Sequence, residues 1–268
     1  MLLRVGPEQL LAVYDEQVRG SFADRLPPGW SGEQDGPLAR CLTGRAGFAM
    51  LTGPTAGLSV SQLGELVDRT VAYFAGHERW FEWKTYDHDP PALRPLLLER
   101  NATPEPHEAL LLGEAAALAA EPALPVGLTL RTTTSPSDLE RIGVLQSEVW
   151  GEDWSWLAED LLGRVHADPP TVVLLVEEGD LVVSAAWLTP FGGTGVAGLW
   201  GGSTLAAYRG RGIYRALVAR RAQLAVELGY RILQVDASDD SRPILERLGL
   251  AVVGGTTPYI LGREQTSS

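Results

Sequence analysis

The chain has 268 residues, enough for two domains that each bury a core. Its 34 acidic against 22 basic residues give a formal charge of −12, which excludes a nucleic-acid binder in favour of a cationic partner or a plainly solvated acidic surface. Cys41 is alone, the N-terminus (Arg4, Glu8) lacks the apolar core of a signal peptide, and Glu114 and Glu121 break the apolar run Ala109–Leu124, so a cytoplasmic protein without disulfide or membrane span is expected.

In the first half, Gly57-Leu-Ser-Val-Ser-Gln-Leu63 leads into a long helix and carries no cation cluster. Arg79-Trp-Phe-Glu-Trp-Lys-Thr-Tyr86 reads as a strand whose Trp80, Phe81 and Trp83 suit a core or an interface. His88 lies between Asp87 and Asp89, but three adjacent side chains point apart, so no metal site is expected. An Arg-Pro helix (Arg94–Arg100) and an apolar strand (Ala109–Gly113) follow. Ala119-Ala-Glu-Pro-Ala-Leu-Pro125 reads as a linker, dividing the chain into domains 1–125 and 126–268.

The second half opens with a strand at Leu128–Thr132 and a helix, capped by Ser135 or Ser137, that runs to about Trp150. A second helix is expected over Trp154–Val165, then a hairpin of Thr171–Glu177 and Leu181–Leu188 across Glu178-Gly-Asp180. Ala197-Gly-Leu-Trp-Gly-Gly-Ser-Thr-Leu205 is an apolar strand whose glycines suggest a bulge or a close backbone approach. An amphipathic helix spans Ile213–Leu228, with Gly229 as its C-terminal cap. A buried strand (Arg231–Asp236), a short helix from Asp239-Asp-Ser-Arg-Pro243 to Leu248-Gly-Leu250, and a final apolar strand complete the chain.

The most informative segment is Tyr208-Arg-Gly-Arg-Gly-Ile-Tyr-Arg215. Two glycines ahead of a helix free backbone N–H groups, the helix start adds positive dipole character, and Arg209, Arg211 and Arg215 add cations, which together suit a diphosphate. A P-loop would need Gly-Lys-Ser/Thr at the helix start, and a dinucleotide fingerprint would need a glycine where Arg215 stands. A surface loop with chance arginines is the bland alternative.

With its flanking elements the segment resembles the acyl-CoA loop of the GNAT superfamily of N-acyltransferases, written Gln/Arg-x-x-Gly-x-Gly/Ala. Arg209 and Gly212 match it; Tyr214 stands where glycine or alanine is usual. The tail at Leu248-Gly-Leu250 is similar to the family's Leu-Gly-Phe ending, with Leu250 replacing Phe. The resemblance covers about residues 126–268. It implies an α/β fold with a mixed sheet, a splayed central strand pair and flanking helices.

The first half shares a pattern with the second. Strand, acidic loop, Arg-Pro helix and apolar strand recur at Arg79–Gly113 and at Arg231–Gly254. This reads as an internal repeat whose N-terminal copy is a degenerate GNAT-like domain without a phosphate seat; chance similarity of two Leu/Arg/Glu-rich helices is the alternative. Such a domain would shape a substrate cleft, support an interface such as a homodimer's, or stabilise the other half.

By the same resemblance, acetyl-CoA is the acyl donor. Its pantetheine would pair along Ser203, Thr204 and Leu205, and its diphosphate would sit on Arg209, Gly210, Arg211, Gly212, Ile213, Tyr214 and Arg215. A backbone N–H between Trp200 and Ser203 would stabilise the oxyanion. Leu245 replaces the tyrosine that serves many members as acid, and Ser238 replaces the family's asparagine and joins the cofactor set. Asp236 is the candidate base, directly or through water, or else a cap for the following turn; Glu148 also borders the helix-one to helix-two loop. Trp150, Glu152, Asp153, Trp154 and Trp200 are candidates to hold the acceptor, aromatic walls and carboxylates favouring a cation, while Trp156 and Trp187 suit packing. The reading is an N-acetyltransferase for a small-molecule amine. A non-catalytic acyl-CoA-binding or regulatory module, or an enzyme acting on a protein amine, remains open beside it.

Overall fold

A computed structural model describes residues 6–263 of the chain; Arg4, used above against a leader segment, lies outside them. In chain order it forms α1 (Pro7–Tyr14), β1 (Ser31–Asp35), β2 (Leu38–Leu42), β3 (Gly47–Leu51), α2 (Val60–Gly76), β4 (Phe81–Tyr86), α3 (Leu93–Glu99), β5 (Thr103–Pro104), β6 (Glu108–Glu114) and α4 (Ala115–Leu118). The second half adds β7 (Thr129–Thr133), α5 (Pro136–Trp150), α6 (Leu157–Val165), β8 (Val172–Glu178), β9 (Leu181–Pro190), β10 (Val196–Thr204), α7 (Ile213–Glu227), β11 (Ile232–Ala237), α8 (Arg242–Leu248) and β12 (Ala251–Leu261). No described helix is long and apolar enough to cross a membrane.

The chain forms two compact units. The first takes the chain up to Leu111, Asp236–Pro243 and the chain from Val252; the second takes Leu112–Val235 and Ile244–Ala251. The division is therefore not the single cut at 125/126 that the linker composition suggests. Residues 256–261 of β12 pair antiparallel with β4, from Thr256 opposite Tyr86 to Leu261 opposite Phe81, so the last strand completes the first unit's sheet. A strand's own sequence encodes which face is apolar but not which edge it joins.

In the first unit β1, β2 and β3 pair antiparallel, and β3 pairs parallel with β4. A parallel pair requires a crossover, which α2 supplies. Its start is fixed by a reciprocal cap: Ser59 Oγ accepts from the Gln62 N–H at 3.2 Å, and Gln62 Oε1 accepts from the Ser59 N–H at 2.9 Å. Leu63, Leu66, Val67 and Phe74 of α2 pack with Leu93 and Leu97 of α3 onto Leu51, Phe81, Trp83 and Tyr259. Gly47 is required there, since a Cβ would lie 2.3 Å from the Phe74 ring. Phe81 and Trp83 are thus core residues, as their spacing suggests. Of the three polar side chains at 87–89 only Asp87 turns away, to Arg94 at 2.7 Å; His88 and Asp89 meet on Arg19, His88 Nε2 standing 2.8 Å from Arg19 Nη1 and Asp89 pairing with Nη2, contrary to the expectation that all three point apart.

In the second unit β7, β8, β9 and β10 pair antiparallel in that order, and β10 then pairs parallel with β11. The β8–β9 turn uses Gly179 at φ +59°, and Gly229 follows α7 at φ +86°, both positions the sequence marks. Ser135 precedes α5, but its hydroxyl bonds Ser137 Oγ at 2.9 Å and no backbone N–H. α6 starts at Leu157, later than expected, because Asp153 Oδ1 accepts the Ser155 N–H at 2.9 Å and holds the preceding residues in a turn. A parallel strand pair joined by a long helix and followed by a short Arg-Pro helix occurs twice along the chain, β3–α2–β4–α3 and β10–α7–β11–α8, in keeping with the internal repeat.

Candidate active site

β10 is bulged where its glycines predict. Trp200 stands opposite Trp187 on β9, but the next pair is Ser203 with Ala185, so Gly201 and Gly202 face the single residue Ala186. Gly201 takes φ +64°, and a Cβ there would lie 1.9 Å from the Trp187 ring, so only glycine lets the indole lie on this backbone. The bulge is held from both sides. Gln146 of α5 donates its Nε2 to the Gly201 carbonyl at 3.0 Å. Arg221 of α7 donates Nη1 to the carbonyls of Trp200 at 3.3 Å and Trp187 at 3.4 Å, and Nε to Leu217 at 3.1 Å. Arg221 is 1% exposed, and its burial pushes the guanidinium down to about 10 against the opposing pull of Tyr214.

β10 and β11 diverge just before the bulge begins. Their pairing covers Val196–Gly198 with Ile232–Gln234, whereas β10 runs on to Thr204 with pairs on its β9 side at Leu199, Trp200, Ser203 and Thr204. Gln234, at the last rung, is 1% exposed, and neither its Nε2 nor its Oε1 has a partner among the described residues. A buried amide left without partners is costly, and an amide-bearing chain inserted at this point would satisfy it. Across from it, the Trp200 indole lies on Gly198, whose Cβ would meet Trp200 Nε1 at 2.3 Å.

Beyond β10 the chain turns through Gly210 (φ +73°) and Gly212 (φ +84°) into α7, and Gly212 provides no side-chain cap for the first helical turn. The orphan N–H groups of a helix start are therefore left to an external acceptor. Arg209, Arg211 and Arg215 are exposed around it. Arg209 Nε returns to the Thr204 carbonyl at 3.1 Å, tying the loop to the strand end, and Arg211 lies over the Tyr208 ring at 5.0 Å. Ile213 is buried, so only its backbone faces the seat. Tyr214, the departure from the family pattern, turns in toward β10: a Cβ on Gly202 would meet its ring at 2.8 Å. The seat is left open by an inward turn rather than the outward swing open to an exposed side chain. A cavity of about 490 Å³ runs beside it, between Arg211, Gly212 and Arg215 and the linker residues Leu118, Leu124 and Pro125.

The remaining predicted residues fall into two groups. Ser203 turns its hydroxyl away from the loop toward α5, donating to Gln146 Oε1 at 2.8 Å and accepting from Trp150 Nε1 at 3.0 Å; Trp150 also donates to Gln146. Thr204 Oγ1 bonds Ser184 Oγ at 2.8 Å, and Leu205 is buried, its N–H donated to Val183. Trp150 thus stands at the bulge, while Trp154 stacks on Trp156 at 5.2 Å. Glu152 and Asp153 are exposed, and Asp153 caps the turn before α6. Asp236 and Ser238 lie in the first unit. Ser238 is exposed and its carbonyl accepts the N–H groups of Ser241 and Arg242. Asp236 Oδ2 is 2.5 Å from Lys84 Nζ, its side chain 3% exposed. It pairs with a lysine rather than capping the turn. Burial alone would lower the Lys84 ammonium, but Asp236, with Tyr86 and Glu82, holds it above the ordinary lysine value.

Sequence reasoning missed Gln146, Arg221 and Gln234. The signals were a glutamine inside the apolar run Ile232–Val235, and an arginine on the apolar face of the helix after the loop.

Residues 137–250 match the profile of the Acetyltransferase (GNAT) family. A search of curated proteins returns no sequence match. Among solved structures, the chain is similar to a GCN5-related N-acetyltransferase from Kribbella flavida (19% identity, 88% of this chain and 91% of that one, TM-score 0.69). It is also similar to a tandem GNAT protein from the clavulanic acid biosynthesis pathway (14%, 98% and 98%, TM-score 0.60) and to a GCN5-related N-acetyltransferase from Sphaerobacter thermophilus (15%, 84% and 76%, TM-score 0.61). At these identities the structures establish a shared fold, and the match to the tandem GNAT protein extends over almost the whole chain. Residues 137–250 therefore carry a domain of the GNAT acetyltransferase type, which supports acyl transfer as the general chemistry.

Proposed function

We propose that the protein transfers the acetyl group of acetyl-CoA to the primary amine of a small molecule. The observation that carries this reading is the divergence of β10 from β11 at an orphaned buried amide, Gln234, directly upstream of an uncapped helix start ringed by three arginines. A pantetheine arm carries amides that suit Gln234, and a diphosphate suits the Gly210–Arg215 turn, with the adjoining cavity sized for the nucleotide end. Bound there, acetyl-CoA would supply an activated thioester.

This chain's residues would then do three things. The loop and strand edge hold the donor, and positioning of that kind is worth roughly 7–11 kcal/mol. The bulge at Gly201–Gly202, its carbonyls tied back by Gln146 and Arg221, presents backbone N–H groups to the developing oxyanion, worth about 3–4 kcal/mol per donor. Leu245, where many members carry a tyrosine acid, is fully buried, so we assign proton transfers to water. The amine's C–N bond forms as the C–S bond breaks; of the two protons that the ammonium nitrogen gives up in becoming an amide, one goes to the departing thiolate and the other to water.

Release of CoA thiol against a panel of small amines, with acetyl-CoA binding measured by calorimetry, tests the reading. Saturable binding and turnover of at least one amine support it. Binding without turnover of any amine leaves the acyl-CoA-binding module, and no binding overturns both.

A further inference from the structure

The segment Ala119–Pro125, whose composition reads as a linker, is built into the second unit and pinned there at both ends. At its start Ala115 and Leu118 of α4 are buried, and the Ala115 N–H donates to the Arg231 carbonyl at 2.9 Å. Gln223 Nε2 of α7 then donates to the Ala120 carbonyl at 3.0 Å. At its end Leu124 packs against the second unit's core, and the Leu128 N–H closes a turn on the Pro125 carbonyl at 3.2 Å. A segment held in this way is a fixed wall, and little ordering entropy is lost when a ligand comes to lie on it.

That wall bounds the cavity of about 490 Å³ beside the β10–α7 seat, and every residue lining the cavity belongs to the second unit. Gly212, Arg215, Ala216 and Ala219 recur at helical spacing, so they present one face of the first two turns of α7. The small side chains at 212, 216 and 219 keep that face thin, which leaves room for a flat ring between it and Leu124 and Pro125 of the linker. The charged groups on the cavity are Arg211, Arg215 and Glu121. Among the described residues no ion pair joins Glu121 to either arginine, although all three border one space. Opposite charges left unjoined around apolar walls suit a ligand that combines an anion, a flat apolar body and a hydrogen-bond donor.

We propose that the linker is a donor-specificity element: it forms one wall of a slot for the adenine base, and Glu121 accepts the exocyclic amine of that base. The assignment rests on acetyl-CoA being the donor, with its phosphates on Arg211 and Arg215. An ionised carboxylate is acceptor-only, so it selects a base that offers an amino group where hypoxanthine or guanine presents a carbonyl oxygen. Rejection of such an analogue is strong when a site is built around the hydrogen bond, because the acceptor is otherwise set against a second acceptor. Phosphate alone would leave the apolar walls uncovered. A hydrocarbon chain would cover the walls and leave Glu121 facing it without a donor.

Calorimetric titration of the full chain with acetyl-CoA, adenosine 3′,5′-bisphosphate and inosine 3′,5′-bisphosphate tests the proposal. The adenosine compound should bind saturably and about tenfold more tightly than the inosine compound. Glu121→Ala, at an exposed position, should erase that preference. Ala123→Leu, also exposed, fills the cavity from the linker side and should weaken acetyl-CoA binding by about tenfold. Binding of acetyl-4′-phosphopantetheine, which carries no nucleotide, should be unchanged in both variants. Equal affinity for the two bisphosphates, a preference that survives Glu121→Ala, or equal weakening of acetyl-4′-phosphopantetheine by Ala123→Leu would overturn the assignment. Acetyl-CoA that binds with no base preference removes the adenine slot alone, whereas a parent chain that binds no acetyl-CoA removes the donor reading with it.

Discussion

Arg221 Nη1 sits 3.3 Å from the Trp200 carbonyl, at the residue where β10 leaves register with β9. A buried guanidinium with no ion pair among the described residues is an expensive way to satisfy a carbonyl. It is well used here because a bulge frees carbonyls that no neighbouring strand can satisfy. The same contact polarises the Trp200–Gly201 peptide, whose N–H belongs to Gly201. Arg221→Met should therefore change global stability by no more than about 2 kcal/mol, since lost hydrogen bonds and relieved desolvation offset one another. Turnover should fall at least about tenfold with acetyl-CoA affinity retained. Thermal melts and steady-state kinetics with calorimetry check this, and a loss of donor binding equal to the loss of rate would contradict it.

The loop was legible because its information is local: glycines at positive φ and cations sit within eight residues of sequence, and a helix start needs nothing further to become an anion seat. The bulge was legible for the same reason, in Gly201 and Gly202. What Asp236 touches was not. Its partner Lys84 is 152 positions away, on a strand recruited by the chain's last strand, and such pairings leave no mark in either segment. The late start of α6 was hidden too, because Asp153 reads equally well as an acceptor-site carboxylate and as the turn cap it proves to be.

Gly212→Asp bears on the donor seat. At φ +84° the substitution strains the backbone, and it sets an anion at the mouth of the anion seat. A Cβ there meets only Arg215 Nη2 at 3.7 Å, so the fold has room for the change. Acetyl-CoA affinity should drop by at least about tenfold, roughly 1.4 kcal/mol, with a small shift in melting. Unchanged affinity by calorimetry would remove the loop from the donor site.

Tyr214→Gly separates crowding from support. Because the Tyr214 ring packs toward Gly202 and faces the buried Arg221 guanidinium, its removal should not open the seat. Stability should fall by about 1–3 kcal/mol from lost packing and a glycine in the first helical turn. Acetyl-CoA affinity should not improve by as much as tenfold. A larger gain would mean that the tyrosine obstructs the donor.

Asp236→Asn leaves the buried Lys84 ammonium without its countercharge. Removing one partner of a buried ion pair typically costs about 3–5 kcal/mol, so loss of stability should dominate any loss of rate. The double variant Lys84→Met/Asp236→Leu, which replaces both charges by apolar groups, should recover most of that loss in denaturant melts. A single variant as stable as the parent would show that the pair is not a structural element and would return Asp236 to the role of free base.

Acid stability of the second unit should depend on Asp138. Arg131 holds this carboxylate with bonds of 2.6 and 3.0 Å, and Thr133 and Arg141 add bonds of 2.6 and 2.9 Å. The Arg131 bonds, opposed by burial and helped by Thr133, hold its proton affinity well below the usual carboxylate range. Glu177, bonded by Arg131 as well, is lowered in the same direction. A folded-state value below the unfolded one adds stability that is complete above the unfolded value of about 3.9 and disappears as pH falls toward the folded one. Arg131 is 41% exposed, so solvent screens some of the attraction, and the contribution is put at about 1–2 kcal/mol. Asp138→Asn should therefore be less stable than the parent by that amount at pH 7, and the gap should narrow steadily below about pH 4. Denaturant unfolding of both proteins across pH 2–7 measures it, and a gap independent of pH would mean that Asp138 contributes by shape and neutral hydrogen bonding rather than by charge.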